Sequence, residues 1–262
     1  MKKAGRIILW ISAIPVTLVA GVAWLLWGGV GNPAGRDTIG DIRPPLGYER
    51  VDLPKGSFGA FIREFPLKER GSHMHYYDGS LAYGQYFGYA VLDLPMISPI
   101  EQCADGVMRM RAEYLYGAGR YGRIHFHSVD GKDMRYRGGA DRKALEKYLS
   151  QVYGSANTAS LRREMKPKDL HDIAPGDVLV YEARSAMTYG HAVLVADVAV
   201  NRRTGKKAVM FVQSSTPALT MHVIRDILHP VRSPWVILDP EEEGVFISGI
   251  RFANSDLRTW AE

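Results

Sequence analysis

The chain has 262 residues, of which 46% are hydrophobic and 23% charged, a globular composition that excludes disorder. Its net charge of +5 favours anionic surroundings such as phospholipid headgroups or wall polymers, while the scattered basic residues argue against nucleic acid. A single cysteine, Cys103, rules out an intramolecular disulfide.

No charged residue occurs from Ile7 to Gly35, and Ile7 to Val30 is almost wholly apolar. About 20 such residues suffice to cross a hydrocarbon core of about 30 Å as a helix. Lys2, Lys3 and Arg6 precede the run, so a single-pass cell-membrane protein with its C-terminal domain outside the cytoplasm is expected. Trp10, Trp24 and Trp27 suit the interfacial belts. A cleaved signal peptide ending near Gly21-Val22-Ala23 is the competing reading. The expected organisation is a membrane anchor or signal peptide over residues 1–31, a Gly/Pro-rich tether over 32–45, and one domain over 46–262.

Within that domain, Gly88 to Leu94 alternates as a strand. Ser98-Pro99-Ile100-Glu101 reads as a capping box with proline at the first helical position, opening a helix to about Tyr116 that places Cys103 in its second turn. Asp141 caps a second helix ended by Gly154, and a short helix spans about Ser160 to Met165. Strands follow at Val178 to Tyr181, His191 to Val200, Ala208 to Ser214, Trp235 to Leu238 and Val245 to Phe252. Helices first and an antiparallel sheet second make an α+β class.

The polar residues of these elements suggest thiol chemistry. Cys103 lies near a helix start, His191 begins a strand, and Gln213 stands on the neighbouring strand. A nucleophile, a base and an orienting group are the parts such catalysis requires. A hairpin centred on Thr204 pairs Gln213 with Val195, two same-face steps from His191. Contact between Gln213 and His191 therefore requires the register to slip. His73/His75 and His125/His127 are His-x-His pairs that could hold zinc with an acid such as Asp78, but without HExxH or carboxylate spacing they read as groove histidines. His222 reads as a partly buried strand residue. Arg109 and Glu113 read as a helix-face ion pair worth a few tenths of a kcal/mol.

Pro175-Gly176-Asp177-Val178-Leu179-Val180-Tyr181, Gly190-His191-Ala192-Val193-Leu194-Val195 and Phe211-Val212-Gln213-Ser214-Ser215 resemble the second half of NlpC-type, papain-like cell-wall peptidases. Ile42-Arg43-Pro44-Pro45, Pro66-Leu67-Lys68, Gln102 to Tyr116 and Ser233-Pro234-Trp235 resemble an exported bacterial family called domain of unknown function 4846. The first resemblance implies a papain-like fold, a cysteine-bearing helix on an antiparallel sheet, which the uncharged N-terminal run sets after a transmembrane helix. The second implies no assigned activity.

The expected function is thiol-dependent hydrolysis or transfer at an amide or ester bond in the cell envelope, with Cys103 as nucleophile, His191 as base and Gln213 orienting it. No cofactor is required. The partners are a peptide, glycan or lipid-linked envelope substrate, and the membrane through residues 7–30. A catalytically silent envelope-binding domain is the alternative, and a zinc hydrolase the third reading.

Overall fold

The structure, a computed structural model, describes residues 31–183, 189–239, 242–247 and 249–261. The anchor expected over residues 1–31 lies, except for Gly31, outside the described residues. Among those described, no helix is long and apolar enough to cross a membrane.

The described elements are strands β1 (Glu49–Arg50), β2 (Gly88–Val91), β3 (His125–His127), β4 (Asp133–Arg135), β5 (Lys166–Pro167), β6 (Val178–Tyr181), β7 (His191–Val200), β8 (Lys207–Gln213), β9 (His222–Ile224), β10 (Val236–Leu238), β11 (Val245–Ile247), β12 (Ile250–Phe252) and β13 (Leu257–Thr259). The α-helices are α1 (Phe58–Arg63), α2 (Cys103–Gly117), α3 (Arg142–Tyr153) and α4 (Thr158–Glu164). Among the described residues, nine strands form one sheet in the order β2-β9-β8-β7-β6-β13-β5, with β1 on β7 and β10 on β8; β3-β4 and β11-β12 pair separately. Among the described residues every strand pairing is antiparallel, from the long β7–β8 hairpin to the short β13–β5 pair. The molecule is thus mostly antiparallel sheet with few helices. The expected papain-like fold behind a transmembrane helix is corrected to this sheet-dominated architecture. The physical reason lies in the second half, where β-branched runs punctuated by short polar turns keep adding strands to one sheet, while Pro and Gly keep the helices short.

Strand β7 is buried along nearly its whole length, which its almost unbroken apolar run requires. Ala192, Leu194 and Ala196 face the larger core, shared with Val107, Met108 and Met110 of α2. Val193, Val195 and Val198 face a second core closed by Val245, Ile247 and Phe252. The alternation changes parity at a bulge between Val195 and Asp197, where Asp197 opposes Met210. Asp197 is completely buried there. Arg50 Nε and Arg63 Nη2 donate to it, each at 2.6 Å, tying β1 and α1 to the centre of the sheet.

Two expectations shift at the ends of elements. The helix expected from Pro99 begins instead at Cys103, because Glu101 turns inward: its Oε2 accepts from the Ile97 N–H at 3.0 Å and its carboxylate pairs with Arg109. The Asn32 to Pro45 segment, expected as a tether, packs on the domain through Ile39 and Ile42, and the Asn32 Nδ2 donates to the Lys68 carbonyl at 2.9 Å. Helices α3 and α4 start from Asp141 and Asn157, whose side chains accept from the first-turn N–H groups.

Candidate functional site

Helix α2 delivers Cys103 at its first position, one turn earlier than expected, where unpaired N–H groups and the helix dipole favour a thiolate. Burial outweighs that help. It pushes the thiol up to about 11, with the Asp105 carboxylate adding to the rise and the Ala192 backbone N–H, directed at the sulphur, opposing it. The thiol is therefore protonated near neutral pH and needs a base to react. Gly106, one turn further on, allows α2 to come this close: a Cβ there would stand 3.2 Å from the Ser214 Cβ, just beyond the end of β8.

His191, the candidate base, lies on the other face of the same strand start. His191 shares its sheet face with Gln213 and His222, as strand alternation from Ala192 requires. The tighter turn between β7 and β8 and the bulge each supply one residue of the register slip that Gln213 needs. Leu194 pairs with Val212, so the next step sets Gln213 opposite Val193, and His191 becomes a diagonal neighbour within reach of a long side chain. His191 Nε2 donates to Gln213 Oε1 at 2.9 Å. The far end of the amide is fixed as well. Gln213 pairs directly with His222, and its Nε2 donates to His222 Nε2 at 3.3 Å. His222 Nδ1 in turn donates to the Thr220 carbonyl at 3.0 Å.

This chain of hydrogen bonds has one direction. His222 carries its proton on Nδ1, so its Nε2 requires a donor, which turns the Gln213 oxygen toward His191. His191 then carries its proton on Nε2 and leaves Nδ1 as the basic atom. Burial depresses both imidazoles, His222 to about 4, and His191 below its ordinary value despite a smaller upward effect from Gln213. A neutral imidazole with a bare Nδ1 can accept a proton.

The structure thus joins His191 to Gln213 by a hydrogen bond and sets Cys103 against Ala192, the residue after His191. Among the described residues, no hydrogen bond links the thiol to the imidazole. A cleft of about 450 Å³ opens at Cys103, lined by Gln102, Asp105, Asn157, Thr158, Tyr189 and Gly190 among others. Asp105 Oδ2 accepts from the Gln102 N–H at 2.9 Å, while its Oδ1 is buried without a partner. Burial pushes this carboxyl up to about 7, against the lowering effect of that N–H bond.

Other expected residues settle differently. Arg109 is not on a helix surface. It is 1% exposed and bridges Glu101 and Glu113, with Arg142 completing the network through Glu113. His222, expected to be partly buried, is wholly enclosed and orders the site through Gln213. No sequence spacing announces that role, since it depends on β8 and β9 pairing in register. His75 Nδ1 meets the His73 carbonyl at 2.9 Å, and Asp78 instead accepts from Ser80. The His125/His127 pair is joined by Glu164 at the end of α4, a residue not singled out by the sequence.

No curated protein and no solved structure matches the chain significantly. The expected likeness to NlpC-type peptidases and the expected export therefore gain no support from these comparisons. The family model described as Domain of unknown function (4846) matches residues 40–138 and 137–259, nearly all of the folded region. By that match, the chain belongs to the family Domain of unknown function (4846).

Proposed function

We propose that this protein is a thiol-dependent hydrolase or transferase acting on an amide or ester bond of a cell-envelope molecule. The observation that supports it most is the directed chain from Thr220 through His222 and Gln213 to His191, which leaves a bare Nδ1 on the residue next to Ala192, whose backbone N–H is directed at Cys103.

In this reading the His191 ring, which lies on the sheet face opposite Ala192 and α2, reaches the thiol around the N-terminal end of β7, and Nδ1 takes its proton. The sulphur attacks the carbonyl carbon, and the Cys103 backbone N–H at the head of α2 donates to the developing oxyanion. The imidazolium then gives its proton to the departing amine or alcohol. Water, or a second amine in a transferase, cleaves the thioester with His191 again as base. Gln213 positions the ring throughout. The uncharged run over residues 7–30 supports a place at the cell membrane with the domain facing the envelope.

Incubating full-length protein with isolated cell envelope, and following newly released amines, alcohols and acids by mass spectrometry, tests the reading. Release by wild type and none by Cys103→Ala is expected. Equal release by both would contradict it. A catalytically silent envelope-binding domain would retain the envelope without releasing anything.

A further inference from the structure

A larger cleft lies elsewhere. It occupies about 510 Å³ between β3, the end of α4 and the C-terminal segment, and its wall includes Arg111, Arg123, His125, His127, Arg163 and Glu164. Strand alternation sends His125 and His127 to the same side of β3, with Phe126 buried on the other. Glu164, the last residue of α4, reaches the same point, and its side chain is nine-tenths buried. Its two oxygens have separate tasks. Oε2 accepts from the His127 backbone N–H at 3.3 Å, which orients the carboxylate. Oε1 lies 3.4 Å from His127 Nδ1 and 3.7 Å from His125 Nδ1.

Those separations are too long for good N–H···O bonds to both rings, but they fit the edges of a metal polyhedron. A tetrahedral ion with bonds of about 2.0–2.1 Å sets its ligand atoms about 3.3 Å apart. One ligand atom from each of the three residues can be chosen so that all lie within 4.8 Å of one another. A second observation concerns His125 alone. Its Nδ1 is buried with no hydrogen-bond partner, and Asp133 Oδ1 remains 3.6 Å away because that carboxylate is engaged by Arg135 at 2.6 Å.

We propose that His125, His127 and Glu164 form a binding site for a divalent cation of the zinc class, with an open position facing the cleft. Two imidazoles and one carboxylate make a mixed nitrogen and oxygen set, which suits zinc and not the oxygen-seeking magnesium or calcium. Three protein ligands leave a coordination position for an exogenous group. The surrounding arginines oppose a bare dication, but several are directed elsewhere. Arg111 lies over the rings of Phe58, Tyr114 and Trp260, and Arg163 Nη2 donates to the Val129 carbonyl at 2.7 Å. Their charge selects an anionic fourth ligand, a carboxylate or phosphate, on the bound ion.

The test uses the full-length chain, stripped with a chelator and titrated with Zn²⁺ by calorimetry. Cys103→Ser is titrated in parallel to remove the thiol as a competing ligand. One ion per chain, bound equally by wild type and Cys103→Ser, is expected. Glu164→Gln and His127→Ala should each weaken binding by at least about tenfold, while Mg²⁺ gives no heat. Co²⁺ loading of the wild type adds a readout that needs no variant: intense visible bands of a low-coordinate ion without a thiolate charge-transfer band. Absence of stoichiometric uptake, uptake unchanged in both ligand variants, or a Co²⁺ spectrum showing thiolate ligation would overturn the proposal.

Discussion

Gln213 and His222 determine which nitrogen of His191 is basic, so their loss should act on chemistry before stability. Gln213→Ala leaves the imidazole free to change tautomer, and labelling of Cys103 by a thiol probe should slow by about tenfold or more, within the range ascribed to acid–base catalysis. Among the described residues His222 is hydrogen-bonded to neither the thiol nor His191, so His222→Ala should reproduce part of that loss by releasing Gln213. An unchanged rate in both would remove the orienting role. Two buried groups also give opposite pH signatures. His222 falls to about 4 in the folded state, so the unfolded chain binds its proton first; stability is lost as pH drops from about 6.5 to about 4, by on the order of 3 kcal/mol. Asp105 rises to about 7, so its contribution is complete below about pH 4 and is lost as pH climbs through 7, by about 2–4 kcal/mol. Asp105→Asn should therefore gain stability at pH 8 and, by removing a neighbouring negative charge, make Cys103 more acidic. Denaturant melts across pH 4–8 and a probe-labelling pH profile check both. Cys103, His191 and Gln213 stood out in the sequence because each sits in a motif with local context. His222 and Glu164 did not, because their partners lie on segments far away in the chain and only pairing in space reveals them.

Strand β7 shows how a bulge can set a site. The extra residue at Ala196 leaves Asp197 facing the same core as its neighbour and advances β8 by a step, which with the tighter turn carries Gln213 to His191. Replacing Asp197 with Ala leaves Arg50 and Arg63 without their shared carboxylate. The expected cost is about 3 kcal/mol, measurable by denaturant unfolding, because removing one partner strands buried charge. A change below about 1 kcal/mol would show that the clamp is dispensable. At the start of the strand, Gly190 has no space for a side chain: a Cβ would fall 2.7 Å from the Tyr181 carbonyl oxygen, and backbone cannot swing aside. Gly190→Ala should cost about 1–3 kcal/mol and displace His191, slowing Cys103 labelling as well. The longer strands and the helices starting at Asp141 and near Asn157 were legible because periodicity and caps are local, whereas the single strand expected over Val245 to Phe252 is the β11–β12 hairpin. The start of α2 was not legible. A capping-box pattern at Ser98 pointed to a helix, but burial of Glu101 beside Arg109 claimed those residues, a tertiary contact that outweighs the local preference.

At the scale of the molecule, the sheet is covered on both faces, by α2 and its neighbours on one side and by Leu170, Ile173 and the β11–β12 hairpin on the other. An antiparallel sheet was legible from the alternating apolar runs, but the papain-like class expected with it was not what the chain builds. The global arrangement was not legible, because forty residues of motif likeness fix neither strand order nor the number of strands recruited. The family match spans both halves and assigns no chemistry, so activity must be decided at the thiol. Treating folded full-length protein with an activity-based thiol probe, in wild type and His191→Ala, is the most direct measurement. Labelling confined to Cys103, falling about a hundredfold or more in His191→Ala with unchanged circular dichroism, is expected if His191 activates the thiol. A thiol that reacts only after denaturation, or equally well without His191, would contradict that role.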